Sequence, residues 1–234
     1  MAELNIDLHP AQLQIFHSKK RFKIVAAGRR FGKSYLSAWL LLIKAIQSTN
    51  KDVFYVAPTF QQAKDIMWAM LKDLGRDLIA QAHENTAVLT LINGRKIYLK
   101  GSDRPETLRG VGLSYVVLDE YASMKPVVWE QIIRPTLADV KGEAFFIGTP
   151  AGKNHFFDLY KDALEDDEWE AFQFNSTDNP FLPPEEIEAS RKSMSSMSFR
   201  QEFEASFETG SGGIFKESWF KVDDEPEEGN FVIA

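Results

Sequence analysis

The sequence predicts an α/β protein built on a mainly parallel sheet, and three observations carry that expectation. Residues 22–27, 52–57, 115–118 and 144–147 are short runs of largely apolar residues on successive positions, the pattern of strands covered on both faces. The first two runs are each followed by a stretch with helical apolar spacing. Each run also stops at glycine, proline or polar residues, as strand ends do. The chain is long enough for a substantial core: it has 234 residues, of which 44% are apolar and 12% aromatic, and that much aromatic surface has to be buried or bound.

The elements follow in order. His9-Pro10-Ala11-Gln12 precedes the first strand, 22–27, which ends in a glycine loop. Residues 33–47 place Leu36, Trp39, Leu40 and Ile43 on one helical face. Strand 52–57 is closed by Pro58, and residues 61–74 form a second amphipathic helix through Ile66, Met67, Met70 and Leu74. Residues 86–100 alternate around Asn93-Gly94, a strong hairpin signal. After Pro150 the texture changes to an acidic stretch at 158–170, a turn-rich segment at 179–184, and one or two helices over 185–207. These features predict a core over 1–154, a smaller helical appendage over 155–215, and a linker at 216–234 that ends in the apolar start of a further domain, 230–234.

Composition removes several chemistries. The chain contains no cysteine, so disulfides, thiolate zinc sites and cysteine nucleophiles are excluded. Its four histidines are too scattered for a zinc site. The first residues lack the cationic and apolar pattern of a signal peptide, and the longest apolar stretch falls well short of the roughly 20 residues of a membrane span; a cytoplasmic protein is expected. The net charge of −7 conceals an asymmetry. Residues 1–110 carry 17 Lys and Arg against 9 Asp and Glu, and residues 111–234 carry 10 against 25. A basic front half suits a polyanionic partner.

Two motifs point to nucleotide chemistry. Gly28-Arg29-Arg30-Phe31-Gly32-Lys33-Ser34 lies between a strand and a helix, where backbone N–H groups and the helix dipole favour phosphate. Lys33 is placed to reach the β- and γ-phosphates and the Ser34 hydroxyl to bind Mg²⁺. The usual pattern has its first glycine at position 27, where this chain has Ala27. The second motif is the strand 115–118 running into Asp119 and Glu120, which lifts two carboxylates to the carboxyl edge of the sheet, where ligands bind. Asp119 is expected to hold the metal with Ser34, and Glu120 to orient or deprotonate an attacking water.

Together with Gly148-Thr149-Pro150, the segment 103–110 and Phe199-Arg200-Gln201-Glu202-Phe203, these motifs resemble the large terminase subunit of tailed double-stranded DNA phages, from about residue 9 to 207. The resemblance implies a RecA-like (ASCE) P-loop NTPase with a small helical lid, using ATP and Mg²⁺. It implies that Arg29 touches the γ-phosphate, that Gln12 reads adenine, that Thr149 senses the γ-phosphate, and that Arg109, with Arg104 as its competitor, reaches a neighbouring subunit's nucleotide. It further implies double-stranded DNA, a portal protein and a small terminase subunit as partners. A pentameric ring assembled on the portal from subunits that are monomers alone, a nuclease domain after residue 234, and the host cytoplasm as setting also follow from it. Arg95, Lys96, Lys72, Arg76 and Lys100 are candidates for a DNA-facing track. A superfamily-2 helicase shares the phosphate loop and the Asp-Glu strand, but residues 151–234 are too short for the second RecA-like domain it needs. A nucleotide-gated docking module is the alternative from outside the enzymes.

Overall fold

In the computed structural model of the chain, residues 6–208 are described. Helix α1 (Pro10–His17) leads into β1 (Phe22–Ala27), α2 (Lys33–Gln47), β2 (Asp52–Ala57) and α3 (Phe60–Leu74). Three strands follow, β3 (Ile79–His83), β4 (Val88–Leu91) and β5 (Lys96–Gly101), and then β6 (Leu113–Asp119). A wide helical turn at Val128–Ile133 runs into the short α4 (Arg134–Thr136). The chain continues through β7 (Glu143–Gly148), α5 (His155–Ala163), β8 (Trp169–Phe174), α6 (Pro184–Ser193) and α7 (Ser196–Phe203).

The eight strands form one sheet in the order β3-β4-β5-β2-β6-β7-β1-β8. Every pairing from β5 through to β8 is parallel, and only β3–β4 and β4–β5 are antiparallel. The parallel strands therefore present their carboxyl ends on one edge. Alternating strand residues build a core on each face. Val25, Tyr55, Val117 and Phe145 pack with Leu36, Leu41 and Met67 of α2 and α3, while Ile24, Phe54, Val116 and Phe146 pack with Trp129, Tyr121 and Phe156. All six β1 residues are buried, as the consecutive apolar run predicts.

One expectation is corrected. The sequence predicts a helical appendage over 155–215, yet β8 lies within it and pairs along its whole length with β1, Phe22 opposite Trp169 through Ala27 opposite Phe174. The strand has half-buried edge residues in place of a continuous apolar run, which is why its acidic flanks hide it. The stripe expected on α3 is present: Met67 is buried with Ala63, Trp68 and Leu71, and Ile66, Met70 and Leu74 are half-buried against the same core, Ile66 and Met70 also lining a cleft over the phosphate loop. The expected linker and further strand at 216–234 lie outside the described residues.

Candidate active site

The loop that follows β1 is shaped by two left-handed residues, Arg30 at φ 62° and Gly32 at φ 98°. Gly32 caps α2, and the following helix of 15 residues directs its amino end at the cleft. Phe31 is a buried anchor for the loop: its ring stacks on Phe174 at 5.0 Å and meets His9 edge-on at 5.0 Å. Helix α1 braces the same loop. His9 donates from Nε2 to the Phe31 carbonyl at 2.9 Å while its Nδ1 accepts the Gln12 amide. The Gln12 side chain accepts from the His9 amide through Oε1 and donates through Nε2 to the Gly32 carbonyl at 2.9 Å. Both ends of the Gln12 amide are engaged and the residue is buried, so without nucleotide it braces the loop from behind.

From the other side the loop is tied to the last third of the chain. The Gly28 amide donates to the Phe174 carbonyl and the Arg29 amide to the Glu202 carbonyl. Ser176 donates to the Arg29 carbonyl at 2.6 Å and Asn179 to the Arg30 carbonyl at 2.7 Å. This explains the glycine at position 28. A side chain there would collide with Ser176 and with the Phe203 carbonyl, so glycine is required for this approach. Ser176 and Asn179 carry no sequence signal, since each acts on a residue about 150 positions away, and Glu202, although part of the 199–203 motif, gives no hint in the sequence that it meets Arg29.

Three strand ends meet at the cleft, those of β1, β6 and β7. Lys33, at the start of α2, donates through Nζ to the Ala27 and Gly28 carbonyls, at 2.6 and 2.9 Å, and to Thr149 Oγ1 at 3.3 Å. Burial lowers the Lys33 pKa, opposed by the charges of Glu120 and Asp119. Asp119, at the end of β6, is buried, and desolvation pushes its carboxyl up to about 6. Its Oδ2 accepts the Tyr55 hydroxyl and its Oδ1 the Glu120 amide at 2.9 Å. Glu120 itself is left-handed, at φ 53° and ψ 46°, which swings its carboxylate out of the strand. The cleft measures about 1070 Å³ and is lined by Arg29, Arg30, Gly32, Lys33, Ser34, Glu120 and Thr149 at its polar end and by Tyr35, Ile66, Met70, Phe181 and Leu182 at its apolar end.

The arginines divide. Arg29 is paired through Nε with Glu202 of α7, which raises the guanidinium pKa. Arg109 lies outside this cleft; it pairs with Glu106 at 2.8 Å and remains about half exposed, 47% for its side chain. Arg104 lines a separate groove of about 450 Å³ with Thr59 and Lys100. Of the five candidate DNA-facing cations, Lys72 is paired with Glu84 and Arg76 with Asp73, while Lys100 lies over the Phe54 and Tyr98 rings. Among the described residues no cluster of three or more His or acidic side chains could hold a metal alone, and no helix is long and apolar enough to cross a membrane. Ser34 and Asp119 are both oxygen donors, a set that suits Mg²⁺ when phosphates and water complete the shell.

Comparison with known proteins decides the family. The family model "Terminase large subunit, T4likevirus-type, N-terminal" matches residues 24–222. The chain belongs to the terminase large-subunit family. The terminase large subunit of Escherichia phage T5 is 30% identical over 205 residues, covering 84% of this chain and 46% of that protein. The terminase large subunit of Thermus virus P23-45 is 26% identical over 88% of this chain and 50% of its own length. This terminase chain thus spans about half the length of the curated relatives it matches. Among solved structures, the large terminase ATPase domain of Thermus phage P74-26 superposes with a TM-score of 0.76 at 25% identity, over 87% of this chain and 95% of that one. The large terminase of a second thermophilic bacteriophage, in complex with ADP, shares the fold, with a TM-score of 0.76 at 18% identity over 86% of this chain and 54% of that one. The RecA-like fold expected from the motifs is the fold of these relatives.

Proposed function

We propose that this terminase chain is a Mg²⁺-dependent ATPase that drives double-stranded DNA into a procapsid. The carrying observation is the convergence of Lys33, at the start of α2, with Glu120 and Thr149, just past β6 and β7, on the cleft whose floor is the phosphate loop. Lys33 binds the β- and γ-phosphates and trades its two loop carbonyls for them. Glu120, free of the sheet, accepts a proton from the water that attacks the γ-phosphorus in line with the departing ADP oxygen. Ser34 and Asp119 hold Mg²⁺, which supplies charge neutralisation at the phosphates. Arg29 moves from Glu202 to the γ-phosphate, so the state of the nucleotide is passed to α7. Thr149, on Lys33, senses the same phosphate.

The remaining roles rest on the family. Residues 175–208, which follow β8, form the lid, a nuclease domain follows in the full-length protein, and the portal and small subunit are its partners in the host cytoplasm. Arg109, exposed and outside its own cleft, acts on a neighbour's nucleotide when subunits form a ring, pentameric as the resemblance implies and dissociated into monomers in isolation. Lys72, Arg76, Arg95, Lys96 and Lys100 supply the DNA-facing surface. The test is ATP turnover and ATP affinity of the wild type, Lys33→Ala and Glu120→Gln. Lys33→Ala is expected to lose binding, and Glu120→Gln to keep binding while turnover falls by about 10²-fold or more. Undiminished hydrolysis in both variants would rule the reading out.

A further inference from the structure

We propose that Tyr55 is a positioning residue for both carboxylates at the end of β6: its phenol fixes Asp119, and through Asp119 it fixes the turn that aims Glu120. The proposal rests on the reading of Asp119 and Glu120 given above. Tyr55 lies on β2 beside Val117 of β6 and is fully buried among Val53, Ala57, Tyr115 and Val117. At such a position phenylalanine would fill the same volume with no polar atom to satisfy. The hydroxyl that distinguishes tyrosine needs a partner when buried, and the partner it has is Asp119 Oδ2.

The two Asp119 oxygens are then each assigned one donor, Tyr55 on Oδ2 and the Glu120 amide on Oδ1. Two donors on opposite oxygens fix the plane of a carboxylate, and each oxygen keeps a further lone pair for a metal or a metal-bound water. A neutral phenol does this without placing a competing cation beside the dication site, as lysine or arginine would. The second bond continues the relay. Glu120 occupies the left-handed region, which is unfavourable for a side chain with a Cβ and persists only where neighbouring groups hold it. One of those holds is its amide on Asp119; another is the Ser123 amide donating to the Glu120 carbonyl at 2.9 Å. Orientation therefore passes from Tyr55 to Asp119 to Glu120, across two strands and one turn.

The test is Tyr55→Phe in this chain, with two readouts. The first is the affinity of a fluorescent ADP analogue with excess Mg²⁺ and with EDTA. The variant is expected to match the wild type within about twofold in EDTA and to lose about tenfold of the Mg²⁺-dependent gain, the size expected when a partner behind a metal ligand is removed. The second is hydrogen exchange over residues 118–123, expected to accelerate in the variant while β1 and β7 keep wild-type protection. Equal weakening with and without Mg²⁺, or unchanged Mg²⁺ gain and unchanged exchange, overturns the proposal. Asp119→Ala separates the two levels. If it abolishes the Mg²⁺ gain and Tyr55→Phe does not, the Tyr55 inference fails alone; if it leaves the gain intact, the assignment of Asp119 fails and takes the Tyr55 inference with it.

Discussion

Asp119, the proposed metal ligand, is held buried at a cost to the fold. Burial raises its carboxyl pKa to about 6 from an ordinary value of 3.8. Between those values the native state binds the proton more tightly than the unfolded chain, so this group's contribution to stability falls as the pH rises and is fully unfavourable above about 6. At 1.36 kcal/mol per pH unit the penalty reaches about 3 kcal/mol at most. Asp119→Asn should therefore melt several degrees higher than the wild type at pH 8 in EDTA, with the advantage about halved at pH 5. Thermal unfolding at the two pH values checks this, and an advantage independent of pH would contradict it. Gln12 gives a second prediction at this scale. Because its amide is used on His9 and Gly32, Gln12→Ala should weaken ATP and GTP binding by the same factor. A selective loss of ATP binding would instead assign Gln12 the adenine-reading role that the resemblance implies. The motif residues were legible because phosphate chemistry demands them at fixed spacing. Tyr55, His9 and Ser176 were not, because a hydrogen bond to a residue 22 to 147 positions away leaves no periodicity behind.

At the scale of elements, consecutive apolar runs located β1, β2, β6 and β7, and the Asn93-Gly94 turn located the β4–β5 hairpin. Strands with a solvated face escaped. β3 is an edge strand whose residues after Ile79 are exposed, and β8 has only half-buried or exposed positions between acidic flanks. The missed β8 matters most, because the segment after it reaches the phosphate loop. Asn179 accepts the Phe181 amide at 2.9 Å while donating to the Arg30 carbonyl at 2.7 Å. Asn179→Ala removes both bonds. At this half-buried site on the cleft wall the stability cost should be about 1 kcal/mol, but the KM for ATP should rise severalfold because Arg30 loses a restraint on its left-handed conformation. Calorimetry together with steady-state kinetics checks the pair, and a stability loss with unchanged KM would confine Asn179 to folding.

For the whole molecule, the informative contrast is between the two arginines. Arg29 sits in its own cleft on Glu202, whereas Arg109 lies away from that cleft and pairs with an exposed partner, Glu106. Exposed pairs of this kind contribute little to stability, so Arg109→Ala should leave the melting temperature within about a degree while lowering ATP turnover about 10³-fold in assembled protein. Mixing Lys33→Ala with Arg109→Ala subunits should recover part of the activity that each variant lacks alone. Turnover measured across mixing ratios gives the answer, and a flat profile would place the function of Arg109 within its own subunit.

The ties from Phe174, Ser176, Asn179 and Glu202 to residues 28–30 also fix an order of events during synthesis. The ribosome makes the Lys33 loop early, and α1 and Lys33 can satisfy the carbonyls of residues 27, 28, 31 and 32 at once, but the Gly28 and Arg29 amides and the Arg29 and Arg30 carbonyls meet their partners only after Phe174 to Glu202 have emerged. A nascent chain halted before β8 carries the loop braced by α1 alone, with the second half of its scaffold still to come.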